Sequence, residues 1–233
     1  MRRLIALTRS SIGRKLLMAL SGLALLGFAV THLLGNLLVL KGQDALNSYA
    51  AWLKDQGPFL WAARLGLLAI FAVHIVTGVR LALANRAARP AAYARVRTAT
   101  ATSFTARSMW ISGIVVLLFV LFHLAHFTFG IVAADGYDAV DAQGRHDVYS
   151  MVVRSFSVPW IASLYILAML ILGAHLAHGA FSSFRTLGVH HRNVNTIVRG
   201  TSMLVVALLV LGNVAIPALV LAGAVPLPPG VSS

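Results

Sequence analysis

The chain has no cysteine, no glutamate and little charge of either sign. Without cysteine, disulfides, iron–sulfur clusters and thiolate ligation of haem are excluded within the chain, and any iron–sulfur relay must belong to another subunit. The six acidic residues are all aspartates: Asp44, Asp55, Asp135, Asp138, Asp141 and Asp147. None falls in a long apolar run, and no general acid–base carboxylate pair, catalytic triad or phosphate-binding glycine motif is present. Charged residues make up 11% of the 233 positions against 59% hydrophobic ones. That is too little polar surface to coat a soluble domain, so the composition specifies an integral membrane protein.

What is present is five apolar segments, near Met18–Leu40, Leu60–Leu83, Met109–Ile131, Trp160–Phe181 and Ser202–Gly223. At about 1.5 Å rise per residue, roughly 20 residues cross a hydrocarbon core of about 30 Å. The runs lack the alternation of a barrel strand, and an isolated apolar hairpin could not satisfy its backbone in lipid. The expected fold is all-α: one bundle of five transmembrane helices over about 15–40, 60–84, 108–131, 159–183 and 200–223, forming a single domain over 1–233.

Fourteen of the nineteen basic residues fall on one side of this topology. They are Arg2, Arg3, Arg9, Arg14 and Lys15 before the first segment, Arg80, Arg86, Arg89, Arg95, Arg97 and Arg107 after the second, and Arg185, Arg192 and Arg199 after the fourth. The other side carries Lys41, Lys54, Arg64, Arg145 and Arg154 with all six aspartates. The positive-inside rule then puts the N-terminus in the cytoplasm and the C-terminus outside. The net charge of +13 describes a cytoplasmic face suited to anionic lipid headgroups or an acidic partner subunit. Nucleic acid is not an expected partner, because the charges are scattered over three membrane-flanking connections without a recognition motif. The first apolar run is too long for a signal peptide and lacks a small-residue cleavage site before Lys41-Gly42, so it is expected to stay as a helix.

Four of the nine histidines lie in four different apolar segments: His32, His74, His123 and His175. Rise arithmetic puts His32 and His123 roughly 25 and 22 Å from the cytoplasmic end, and His74 and His175 roughly 15 and 12 Å from it. They form an outer pair, His32 with His123, and an inner pair, His74 with His175, about 10 Å apart along the membrane normal. An ionisable group at such depth is costly and usually functional. Bis-imidazole ligation of two b-type haems uses it directly, since one neutral ring nitrogen binds the metal while the other donates to a nearby acceptor. Gly35, Gly78 and Gly179 lie three or four residues after His32, His74 and His175, which puts each on its histidine's face with room for a flat macrocycle. Two alternatives stay open locally, because His123-x-x-His126 and His175-x-x-His178 place a second imidazole one turn on. Interhelix hydrogen bonding without haem, and histidine-based metal transport, also remain open. Transport would ordinarily add intramembrane acids or inverted repeats, which are not visible.

Several short blocks in order resemble the single-subunit, five-helix, two-haem cytochrome b of succinate dehydrogenase, or succinate:quinone oxidoreductase. They are Ser11-Ile-Gly-Arg-Lys15, Thr31-His-Leu-Leu-Gly-Asn36, Asp44-Ala-Leu-Asn-Ser-Tyr49, His74-Ile-Val-Thr-Gly78, Phe122-His-Leu-Ala-His-Phe127 and His175-Leu-Ala-His-Gly179, the last followed by Thr186-Leu-Gly188. The resemblance covers nearly the whole chain and matches its haem-ligand positions to His32, His74, His123 and His175. It implies a bacterial cytoplasmic-membrane anchor for a flavoprotein that interconverts succinate and fumarate and for an iron–sulfur protein. The anchor would hold two haems b and provide a site for quinone, with menaquinone expected for the two-haem type. In some relatives a carboxylate near the outer haem serves menaquinone proton transfer. The lack of Glu leaves that role here to Asp44 or another outer aspartate. Quinone candidates are Ser11, Arg14 and Arg80 on the cytoplasmic side and Asn36, Gln43 and Asp44 on the outer side. Arg14 and Arg80 read more readily as snorkelling interfacial residues, and Asn36 similarly as an interhelix hydrogen-bonding residue. A haem-b anchor of a hydrogenase or formate dehydrogenase is the alternative within electron transfer; the Asp44–Tyr49 block and helix spacing favour the succinate enzyme.

Overall fold

The computed structural model describes residues 10–88, 104–133, 135–189 and 191–228. Of the basic residues above, Arg2, Arg3, Arg9, Arg89, Arg95 and Arg97 lie outside these ranges, as do the side chains of Arg107 and Arg192. Among the described residues the fold is all-α, 82% helical with no strands. The described residues form seven α-helices: α1 Ser11–Asn36, α2 Gln43–Asp55, α3 Pro58–Ala87, α4 Phe104–His123, α5 Val148–Ser157, α6 Pro159–Thr186 and α7 Arg192–Leu221. Five of the helical spans are long and apolar enough to cross a membrane.

Local chemistry sets the ends. The Ser10 hydroxyl accepts from the Gly13 N–H at 3.0 Å, capping α1. A 3₁₀ turn, Leu37–Lys41, extends α1 until Gly42, whose φ of 101° only glycine adopts readily. Pro58 and Pro159 open α3 and α6, where a missing N–H costs nothing. A π turn over Leu124–Thr128 continues α4 and carries His126. The spanning helices are apolar around much of their circumference. Leu65, Leu68, Ile111, Leu118, Leu167 and Leu211 are all exposed, as a lipid-facing surface requires. All four tryptophans are exposed as well, three of them at helix ends or on α2, matching interfacial aromatics.

The chain forms two compact units, with boundaries inside each of the five long helices. The first comprises Met1–Phe28, Leu65–Ile114 and Ala174–Val206. Its buried positions are mostly small, including Ala19, Ser21, Thr77, Ala180, Ser183 and Ser202, which lets helices approach closely. The second comprises Ala29–Arg64, Val115–Gly173 and Ala207–Ser233. It holds a larger apolar core around Val39, Leu46, Tyr149, Val153, Phe156 and Tyr165.

Two helices in the second unit, α2 and α5, occupy stretches that the apolar pattern leaves as connections. Both are short and amphipathic, so no long hydrophobic run announces them. α2 has Asp44 in its first turn, and Asp147 caps α5 by accepting from the Ser150 N–H at 3.1 Å. They are joined through Asn47, which is fully buried. Its amide donates to Asp141 Oδ2 at 3.0 Å and to Asp147 Oδ1 at 2.9 Å, and its carbonyl accepts from the Tyr149 N–H at 3.0 Å. Gln43 donates to Asp147 at 2.8 Å, while Arg145 bridges Asp141 at 2.8 Å and Asp44 at 2.9 Å.

Burial works against ionisation of Asp141, but the Arg145 N–H, the Asn47 amide, the Arg145 guanidinium and the Gln143 N–H outweigh it and hold the carboxyl below its ordinary value. Asp147 is likewise lowered, burial being outweighed by Asn47, Ser150 and Gln43. A folded-state value below the unfolded one means the stabilisation is complete above about pH 4 and is lost as pH falls through the lowered values. Hydrogen-exchange protection factors of α2 and α5, taken relative to the intrinsic rate at each pH, should therefore fall below about pH 4 while those of the spanning helices are kept. Asn47→Ala should destabilise this region by on the order of 3 kcal/mol, because it strips two buried carboxylates and one backbone N–H of partners. An unchanged unfolding temperature for that variant would contradict the network's role.

Candidate functional site: two histidine pairs

In the second unit His32 comes from α1 and His123 from the last residue of α4. Their ring centroids lie 5.8 Å apart with planes at 87°. Phe119, Phe127 and Tyr165 pack around His123 at centroid distances of 6.0, 5.7 and 6.0 Å. His126 points elsewhere: it is fully buried and stacks on Phe127 at 4.0 Å.

Donor counting separates the two members of this pair. The Ser155 hydroxyl gives its only proton to Met151 O at 2.7 Å. The contact of 3.0 Å between Ser155 Oγ and His126 Nε2 then needs the proton on Nε2. His126 Nδ1 is left as an acceptor and takes the Tyr165 hydroxyl proton at 3.0 Å. Tyr165 Oη, its proton spent, can only accept from His123 Nδ1, at 3.4 Å. Both nitrogens of His126 are thus occupied, while His123 keeps Nε2 as a lone-pair nitrogen.

In the first unit His74 comes from α3 and His175 from α6, and both are half-buried. Each Nδ1 meets a serine: His74 with Ser21 Oγ of α1 at 3.1 Å, and His175 with Ser112 Oγ of α4 at 3.1 Å. It is His175, not His178, that Ser112 contacts.

The glycines divide. Around Gly179 there is open space to 4 Å, and a Cβ at Gly78 would meet only the tip of Met18 at 3.5 Å. Gly35 serves a different purpose from the one its spacing suggests. A Cβ there would fall 2.6 Å from the Tyr49 ring, so this glycine admits an α2 aromatic rather than a macrocycle.

The quinone candidates are dispersed. Gln43 and Asp44 are committed to the Asp147 and Arg145 contacts described above. Asn36 ends α1, half-buried, in the second unit. Ser11 and Arg80 are exposed in the first unit, and Arg14 Nε is buried there without a hydrogen-bond partner. Ser21, Ser112, Ser155 and Tyr165 were not singled out from sequence. The signal for the first two is a Ser-Gly step repeated in the first and third apolar runs.

The geometry predicts opposite costs for two alanine substitutions in the cofactor-free chain. His126→Ala opens a cavity and orphans two hydroxyl contacts, for a loss of about 3 kcal/mol by thermal unfolding. His32→Ala, at an exposed ring, should cost less than about 1 kcal/mol. The reverse order would return His126 to the set of available ligands.

Compared with protein-family models, with curated proteins and with solved structures, the chain has no match.

Proposed function

We propose that the chain is the dihaem cytochrome b membrane anchor of a succinate:quinone oxidoreductase, passing electrons between an iron–sulfur subunit and a membrane quinone, menaquinone by resemblance. The observation that carries this is the pair of histidine sites on membrane-spanning helices, with Nδ1 of His74, His123 and His175 engaged by a hydroxyl.

The ring separation of the His32–His123 pair fits the group. Two imidazoles on one metal, each nitrogen about 2 Å away, have ring centroids roughly 6 Å apart, and His32 and His123 stand at 5.8 Å. His32 and His123 would hold one haem and His74 and His175 the other. When bound, haem supplies one-electron redox chemistry inside the hydrocarbon. The protein's own contribution is to fix the rings, exclude water with Phe119, Phe127 and the apolar helix faces, and keep spare nitrogens hydrogen-bonded. Arg14 and Arg86 belong to the basic face that would meet the partner subunits.

Pyridine haemochrome assay of the purified chain should find about two haems b per polypeptide. His32→Ala or His123→Ala should remove one and His74→Ala or His175→Ala the other, while His126→Gln retains both. A folded, haem-free protein would end this proposal. Purification in mild detergent should recover a flavoprotein and an iron–sulfur protein, with both haems reducible by succinate. Recovery of a nickel or molybdenum subunit would instead assign the anchor to a different dehydrogenase.

A further inference from the structure

The first unit repeats one arrangement at two places. On α1, Ser21 is followed by Gly22; on α4, Ser112 is followed by Gly113. The Ser21 hydroxyl donates to Leu17 O at 2.6 Å, and the Ser112 hydroxyl donates to Met109 O at 3.2 Å. A serine has one proton to give. With that proton on a backbone carbonyl, each Oγ can meet its histidine only as an acceptor, at 3.1 Å from His74 Nδ1 and 3.1 Å from His175 Nδ1. In that arrangement both imidazoles carry the proton on Nδ1 and present Nε2 as the lone-pair nitrogen. Gly22 lets the His74 ring lie close to α1, since a Cβ there would stand 3.2 Å from His74 Cε1; at Gly113 a Cβ would make ordinary contact with His175 Cε1 at 3.6 Å.

We propose that the two Ser-Gly steps are seats for His74 and His175: Ser21 and Ser112 are positioning residues that fix the tautomer and basicity of the inner pair, and Gly22 gives the His74 ring room. This rests on the reading of these histidines as haem ligands. A hydrogen bond from Nδ1–H raises the basicity of Nε2 and so favours the oxidised metal. Its removal should make the inner haem easier to reduce and leave the outer one unchanged.

The test is a redox titration of the full chain with its haems, comparing the parent protein with Ser21→Ala, Ser112→Ala, Ser21→Thr and Gly22→Ala. In each alanine-for-serine variant one midpoint potential should shift upward and the other stay in place, and threonine, which keeps the hydroxyl, should restore the parent value. Gly22→Ala should perturb the low-spin electron paramagnetic resonance signal of the same haem. Two unchanged potentials in both serine variants would overturn the proposal. ¹⁵N histidine spectra of the haem-free chain give a second readout: His74 and His175 protonated at Nδ1, with that preference lost in the alanine variants, supports it, and Nε2-protonated rings in the parent chain overturn it. A parent chain that never binds haem would defeat the proposed function, yet the ¹⁵N spectra would still decide whether the serines set the tautomers.

Discussion

An imidazole in a hydrocarbon interior must have both nitrogens accounted for, and that constraint organises the polar chemistry of the membrane-spanning part. Bulk water is not there to supply a missing partner, so each ring needs a hydroxyl, a carbonyl or a metal. Around His74, His123, His126 and His175 the partner of Nδ1 is in every case a hydroxyl oxygen, from Ser21, Tyr165, Tyr165 and Ser112. Each of the three serines lies within hydrogen-bond distance of a carbonyl of the preceding turn, and a hydroxyl that gives that carbonyl its proton can only accept from the histidine. A hydroxyl that would otherwise rotate freely thereby acquires a direction, and the histidine beyond it acquires a tautomer. His126 is closed at both ends by this logic, whereas His74, His123 and His175 each retain one open nitrogen.

The second unit solves a different problem outside the spans. Asp141 and Asp147 are buried carboxylates, and Asn47, from a helix some hundred residues earlier in the chain, is the donor they share. Arg145 and Gln43 complete the arrangement. Acidic groups that could serve proton chemistry on sequence grounds are thus engaged in joining α2 to α5, and Asp44 reaches the same cluster through Arg145.

The five spans were legible because bilayer thickness converts directly into run length and hydropathy. Their ends were less so. α7 begins at Arg192 rather than near 200, because helix continues through polar residues beyond the apolar run. α2 and α5 were not visible as long runs, since their stability comes from one buried face and from Asn47 and Asp147, whose partners lie far away in sequence. The pairing of His32 with His123 could be expected from depth alone. The resemblance selects His123 over His126, but spacing leaves both open, because the contacts that occupy His126 come from Tyr165 and Ser155, 39 and 29 residues away. Gly35 illustrates the same limit: its spacing from His32 fits a macrocycle, but the atom that needs the space belongs to Tyr49.

The central proposal is that each histidine pair holds one iron, with His74, His123 and His175 using the nitrogen left open by their hydroxyl partners. A density map of the protein extracted from its native membrane tests it most directly. The account predicts a planar macrocycle between His32 and His123 and another between His74 and His175, with Nε2 of His74, His123 and His175 toward the metal and His126 still bonded to Tyr165 and Ser155. Iron bound by His126 or His178, or closed packing with no macrocycle between the paired rings, would contradict it.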